Sequence, residues 1–237
     1  MKPFSISKVY LNEHDERVID INPLPEKYCN FDCVFCPLGK TRVKTDEPHD
    51  LEETGTFLEK LEEALTKNSV DMVFIDPDGE LFCQSRISEI VDLIKGHAVK
   101  IRIISNGYLF KRIDFQAVLN RCDEVIGEVA VTTEEKFQKI QRPLPGYTLK
   151  NLVSNMAAFN MQYEGKFILD ITILKNYSDS DRDIETFRNF IDQIKPDEIY
   201  AHTSEKGQLR SAFGIDETRL LEISARLERA IKGNKSG

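Results

Sequence analysis

The 237-residue sequence has no apolar stretch approaching the roughly 18 residues that a spanning helix requires, and Met1–Ser7 carries no run of the signal-peptide kind. It also has no surplus of basic charge. Lys and Arg number 32 against 40 Asp and Glu, a net charge of −8, which disfavours nucleic acid as a partner except at a local basic cluster. Cysteine is sparse and odd in number: three of the five lie close together and two stand alone, which is no disulfide framework. Internal linkers, low-complexity tracts and repeats are absent too. What is present, 41% hydrophobic and 30% charged residues, argues against disorder. A chain of this length removes about three quarters of its unfolded surface from water, so its core needs no disulfide staples. The expectation is a cytoplasmic protein with no membrane association, folded as one domain over 1–237 with a frayed tail at 233–237. In a reducing compartment the tight cysteine trio points to metal or redox chemistry.

Two periodicities alternate along the chain. Short apolar runs suited to buried parallel strands occur at Val18–Ile21, Met72–Ile75, Val99–Ile104, Glu124–Val131, Phe167–Ile173 and Glu198–Ala201. Helix-period segments follow them. Phe57, Leu58, Leu61 and Leu65 share one face, as do Ile87, Ile90, Val91 and Ile94, and a shorter set carries Phe115, Val118 and Leu119. Leu149, Leu152, Val153 and Met156 repeat the pattern, followed by Phe187, Phe190, Ile191 and Ile194, then Leu220, Ile223, Leu227 and Ile231. About six strand–helix units predict an α/β protein with a parallel sheet and right-handed crossovers. Periodicity alone does not separate an open doubly wound sheet from an incomplete barrel. Lys44–Glu53, around Pro48, reads as an exposed loop.

The segment Cys29-Asn-Phe-Asp-Cys33-Val-Phe-Cys36 spaces its thiols as C-x3-C-x2-C. So tight a loop lets thiolates converge on one metal centre, either zinc or a cubane iron–sulfur cluster. Structural zinc takes four protein ligands, and Cys83, Cys122 or a histidine would have to complete it. Otherwise Cys83 and Cys122 read as small core residues. Three thiolates on a [4Fe-4S] cluster leave one iron open to chelate the amino and carboxylate groups of S-adenosylmethionine (SAM).

That segment, with aromatic Phe35 before the third cysteine, resembles the signature of the radical SAM superfamily. The resemblance implies that Phe35 packs near the adenine of SAM. Asp76-Pro-Asp78-Gly79-Glu80 is similar to the family's Gly-Gly-Glu-Pro segment, which meets the SAM amino group; Asp78 replaces its first glycine and Leu81 its proline. Ser105-Asn106-Gly107 resembles the Thr/Ser-Asn-Gly step beside the nucleoside. Each of the three segments follows a predicted strand, and ligands of parallel α/β proteins gather outside the carboxyl ends of strands.

Asn22-Pro-Leu-Pro25, Pro37-Leu-Gly-Lys-Thr41, Phe137-Gln-Lys-Ile-Gln-Arg142-Pro143, Leu169–Lys175 and Lys195–Thr203 resemble one branch, related to the radical SAM enzymes of tRNA wybutosine synthesis and short bacterial iron–sulfur oxidoreductases. This implies an incomplete (β/α)6 TIM-like barrel with the cluster at its mouth. Glu128-Val-Ala130 departs from the branch's Ser-Leu-Asp, and Glu128 is left as a ribose or cofactor contact. His202 stands where asparagine is usual. No cysteine precedes Cys29, so a second cluster upstream of the triplet is not expected. Lys175, past the fifth strand, and Arg142 are candidate substrate contacts, each able to hold an anion. The function expected is reductive cleavage of SAM and abstraction of a substrate hydrogen, with flavodoxin or ferredoxin as external electron donor. The alternatives are an activator of a glycyl-radical partner protein, and a non-catalytic iron–sulfur or zinc module.

Overall fold

The computed structural model describes residues 3–205 and 207–234, with side chains to residue 231. Strands occupy Ser5–Ile6 (β1), Tyr10–Leu11 (β2), Arg17–Asn22 (β3), Tyr28–Cys29 (β4), Val43–Lys44 (β5), Met72–Ile75 (β6), Lys100–Ser105 (β7), Glu124–Val129 (β8), Lys166–Ile173 (β9) and Glu198–Thr203 (β10). Helices occupy Thr54–Lys67 (α1), Ile87–Gly96 (α2), Ile113–Leu119 (α3), Glu134–Lys136 (α4), Leu149–Asn160 (α5), Asp181–Ile194 (α6), Gly207–Phe213 (α7) and Glu217–Asn234 (α8).

β3, β6, β7, β8, β9 and β10 pair in that order and all in parallel, as the six apolar runs predict. Antiparallel β1 and β2, which the sequence reading did not anticipate, both pair with β3. β1 and β10 lie at opposite ends of the pairing order, so the sheet stays open as an incomplete barrel. Two strand ends move by two residues: Glu124–Val131 stops at Val129, and Glu198–Ala201 runs on to Thr203.

Residues one apart on a strand face opposite ways, and this alternation separates the helix-covered core from the barrel interior. Ile19, Ile21, Val73, Ile75, Ile101, Ile103, Leu169 and Ile171 are fully buried. Against them pack Phe57 and Leu61 of α1, Ile90 and Ile94 of α2, Leu152 and Met156 of α5, Phe187 and Ile191 of α6, and Ile223 and Leu227 of α8. Several of the intervening residues carry polar groups. Arg102 is in register with Glu124, Glu128 with Asp170, Asp170 with Tyr200, and Thr172 with His202. Near the strands' N-terminal ends this face is closed by ion pairs, Arg102 Nε to Glu124 Oε2 at 2.6 Å and Lys166 with Glu198.

Helix ends follow local chemistry. Ser180 and Asp183 form a reciprocal capping box on α6, and Thr148 Oγ1 accepts the Asn151 amide at 3.1 Å to start α5. The segment Lys44–Glu53 is largely the loop its composition predicts, with Lys44, Glu47, Asp50, Glu52 and Glu53 exposed. It departs from that reading where Val43–Lys44 pairs with Tyr28–Cys29, His49 bridges to Gln84 and Leu51 is buried. Of the expected frayed tail, Gly233 and Asn234 complete α8, and 235–237 lie outside the described residues. No helix among the described residues is long and apolar enough to cross a membrane.

Candidate active site

The cysteine loop is clamped at several points. The Lys27 ammonium, 2% exposed, donates to the Gly39 carbonyl at 2.7 Å. Asp32 Oδ1 accepts the Thr41 amide at 2.8 Å, and Thr41 Oγ1 donates to the Phe31 carbonyl at 2.7 Å. On its other side the loop pairs antiparallel with the π-helical turn Phe137–Gln141 and the residues just after it. Phe31 bridges Pro143, and the Val34 amide donates to the Ile140 carbonyl at 2.9 Å. That register sets Gln141 opposite Cys33.

Two glycines hold positive φ here. Gly79 has φ +155°, and a Cβ would sit 2.1 Å from the Tyr28 carbonyl oxygen; at Gly107, φ +79°, a Cβ would meet Met156 Cε at 2.3 Å. Asn22 and Asp78 bond reciprocally at 3.0 and 2.9 Å, tying the end of β3 to the loop after β6. Glu80 ties β6 to β7 in turn: its carboxylate accepts Ser105 Oγ at 2.8 Å and the Asn106 amide at 3.0 Å.

These segments enclose a cavity of about 530 Å³ at the carboxyl ends of the parallel strands. Cys29, Cys33, Phe35, Cys36, Asp78, Gly79, Ser105, Asn106 and Glu128 all line it. Glu80 does not. It is 1% exposed, behind Ser105 and Asn106, and burial pushes its pKa up to about 7 although its hydrogen bonds pull the other way. Arg142 faces a second cavity of about 630 Å³ outside the loop, shared with Cys33, Cys36 and Lys40. Lys175 lies exposed beyond β9 and lines neither, because Leu174 takes the buried position and the backbone then turns. Cys83 and Cys122 are buried; their thiols donate to the Thr45 and Val118 carbonyls at 3.6 Å.

Burial and the Glu80 carboxylate push the Cys29 thiol up to about 12. Burial and the other two thiols raise Cys33 well above its ordinary value. Neutral thiols are therefore favoured until a cationic centre takes them as thiolates. Among the described residues no three His, Cys, Asp or Glu side chains gather tightly enough for a single ion. A cubane takes one thiolate per iron and so asks for wider spacing than zinc does. One buried atom of the cavity lining fits SAM bound there: Gln141 Oε1 is an acceptor without a donor.

Across the cavity from the loop stand residues that the sequence reading did not assign to the site. His202 Nε2 lies 3.1 Å from Asp170 Oδ1 and 3.2 Å from Thr172 Oγ1. Burial opposes protonation of His202, but Asp170 and Glu128 outweigh it and raise its pKa. Glu128 is pushed up to about 8 by burial and by Asp170, with His202 pulling it back. The available signal was the period of two: Asp170, Thr172 and His202 interrupt apolar strands at inward positions.

No family model matches the sequence. Among solved structures, TYW1 with a lysine-pyruvate adduct bound superposes with a TM-score of 0.64 at 13% identity, over 90% of this chain and 73% of that one. A radical SAM methyltransferase from Sphaerobacter thermophilus gives 0.66 at 12% identity, over 97% and 75%. This chain has the radical SAM fold. Among curated proteins, UPF0026 protein MJ1312 of Methanocaldococcus jannaschii is 27% identical over 188 residues, 78% of this chain and 59% of that protein. A UPF0026 protein of Helicobacter pylori is 23% identical over 210 residues, covering 87% and 67%. The radical SAM fold explains why three separate strand-end segments meet: in parallel α/β architecture they share one rim.

Proposed function

We propose that this chain is a radical SAM enzyme in which Cys29, Cys33 and Cys36 hold a [4Fe-4S] cluster whose fourth iron binds SAM. The observation that carries this reading is that the three cysteines share one cavity with Asp78–Gly79, Ser105–Asn106 and Glu128. Held there, the cluster would supply the one electron needed for reductive cleavage of SAM to methionine and a deoxyadenosyl radical able to take a substrate hydrogen atom. Phe35 offers the adenine an apolar surface, and Asp78 with the Gly79 backbone offers acceptors to the SAM ammonium. Ser105 and Asn106, held by Glu80, flank the nucleoside, and Glu128 accepts ribose hydroxyls.

The electron comes from an external flavodoxin or ferredoxin. Cys33 and Cys36 line the outer cavity as well as the inner one, and Lys40 and Arg142 stand beside them as a basic rim suited to an acidic carrier.

Anaerobic reconstitution with iron and sulfide tests the proposal, with about four irons per chain expected. SAM is then cleaved to 5′-deoxyadenosine by the intact triplet and not by Cys33→Ala. Stoichiometric zinc with no SAM binding overturns the reading and leaves a non-catalytic metal module in its place.

A further inference from the structure

Behind Cys29 lies a chain of carboxamides whose orientation is fixed by its partners. Asn106 Oδ1 accepts the Tyr108 backbone amide at 3.1 Å, so the Asn106 NH2 group must point the other way. There it donates to Asn30 Oδ1 at 2.6 Å and stands 4.0 Å from Cys29 Sγ. With its oxygen committed to Asn106, Asn30 turns its own NH2 away. Asn30 is 0% exposed, and its NH2 is directed to the Tyr147 hydroxyl. The Phe31 amide adds a second donor, 3.4 Å from Cys29 Sγ.

As a thiol, Cys29 directs its S–H toward Asn30 Oδ1 at 3.8 Å. A ligating thiolate has lost that proton and only accepts. The groups placed to donate to it are Phe31 N–H and Asn106 Nδ2–H. A cluster of sulfides and thiolates consists of acceptors.

We propose that Asn30 and Asn106 act as a carboxamide clamp, in which Asn30 orients Asn106 so that the Asn106 N–H is aimed at the Cys29 sulfur, and that the clamp raises the cluster's reduction potential. This rests on the radical SAM reading above. Hydrogen bonds to cluster sulfurs stabilise the reduced, more negative state, which is why they move the potential upward. Both asparagines are positioning residues here.

Potentiometric titration of the reconstituted cluster, followed by electron paramagnetic resonance, tests the clamp without relying on turnover. Asn30→Leu and Asn106→Ala are each expected to shift the midpoint to more negative potential with iron content unchanged. The double variant shifts it by less than the sum, because the two amides act through one hydrogen bond. Asn30→Asp keeps the acceptor for Asn106 while adding charge. A shift in Asn30→Asp with none in Asn30→Leu would assign the effect to charge and overturn the clamp, as would unmoved midpoints in both single variants. If Asn30→Leu fails to hold iron, Asn30→Ser and Asn106→Ala decide the question on the same axis. Failure of the unsubstituted protein to hold a cluster would overturn the radical SAM reading itself, a result distinct from an unmoved midpoint.

Discussion

Glu80 holds the backbone amide of Asn106 at 3.0 Å and the hydroxyl of Ser105 at 2.8 Å, so one buried carboxylate joins the rims of β6 and β7. The sequence resemblance gives the Asp78–Gly79–Glu80 segment to the SAM ammonium; Asp78 and Gly79 line the cavity and Glu80 does not. Glu80 braces the wall that they belong to.

Removing that brace is therefore expected to cost stability and SAM affinity together. Glu80→Ala strands two buried donors, at about 1–3 kcal/mol for each unpaired group. Denaturant unfolding of the unreconstituted protein reads the loss. Asp78→Asn is expected to weaken SAM binding while leaving the unfolding midpoint nearly unchanged. Equal stability of Glu80→Ala and the parent would contradict the bracing role.

Glu128 gives a pH dependence whose sign is set by its raised pKa. Its carboxyl is shifted from 4.5 to about 8 by burial and Asp170, so the unfolded chain releases the proton first. Where the native state holds the extra proton, stability falls as pH rises. The loss builds from about 4.5 up to about 8 and then levels off. Asp170 and His202 face Glu128. Glu128→Gln is expected to be more stable than the parent above pH 8, with the advantage vanishing toward pH 4.5. Denaturant unfolding across that range checks the crossover.

Two glycines of the rim differ in what a methyl group would meet. At Gly79 a Cβ lies 2.1 Å from the Tyr28 oxygen, whereas at Gly39, φ +76°, nothing stands within 4 Å. Gly39→Ala is expected to cost about 1 kcal/mol, the left-handed backbone penalty alone. Gly79→Ala also collides with β4 and is expected to cost more than about 2 kcal/mol and to displace Cys29. Iron content after reconstitution, compared between the two, separates strain from collision.

The basic rim predicts a kinetic effect confined to the protein donor. Lys40→Glu with Arg142→Glu is expected to slow cluster reduction by flavodoxin or ferredoxin about tenfold or more at low salt. Reduction by dithionite should be unchanged. Stopped-flow bleaching of the cluster with each reductant makes the comparison, and equal slowing with both would rule out a docking role.

The C-x3-C-x2-C spacing, the six apolar runs and the helix-period faces are local features, so the order of elements and the candidate ligands were legible without coordinates. The placement of Asp78–Gly79 and Ser105–Asn106 beside the cysteines was legible too, because parallel strands share one functional edge. Other features were not. That Glu80 is buried and Asp78 exposed to the cavity depends on where the turn after β6 meets Tyr28, a contact with a residue 52 positions away. Arg142 and Lys175 read alike as cations near strand ends. Pairing of 140–143 with the cysteine loop sends Arg142 outward, and burial of Leu174 leaves Lys175 in solvent. Asp170 and His202 lie 32 residues apart and meet only because β9 and β10 are in register. Local pattern thus determined which groups the chain carries, and long-range packing decided which of them face one another across the cavity.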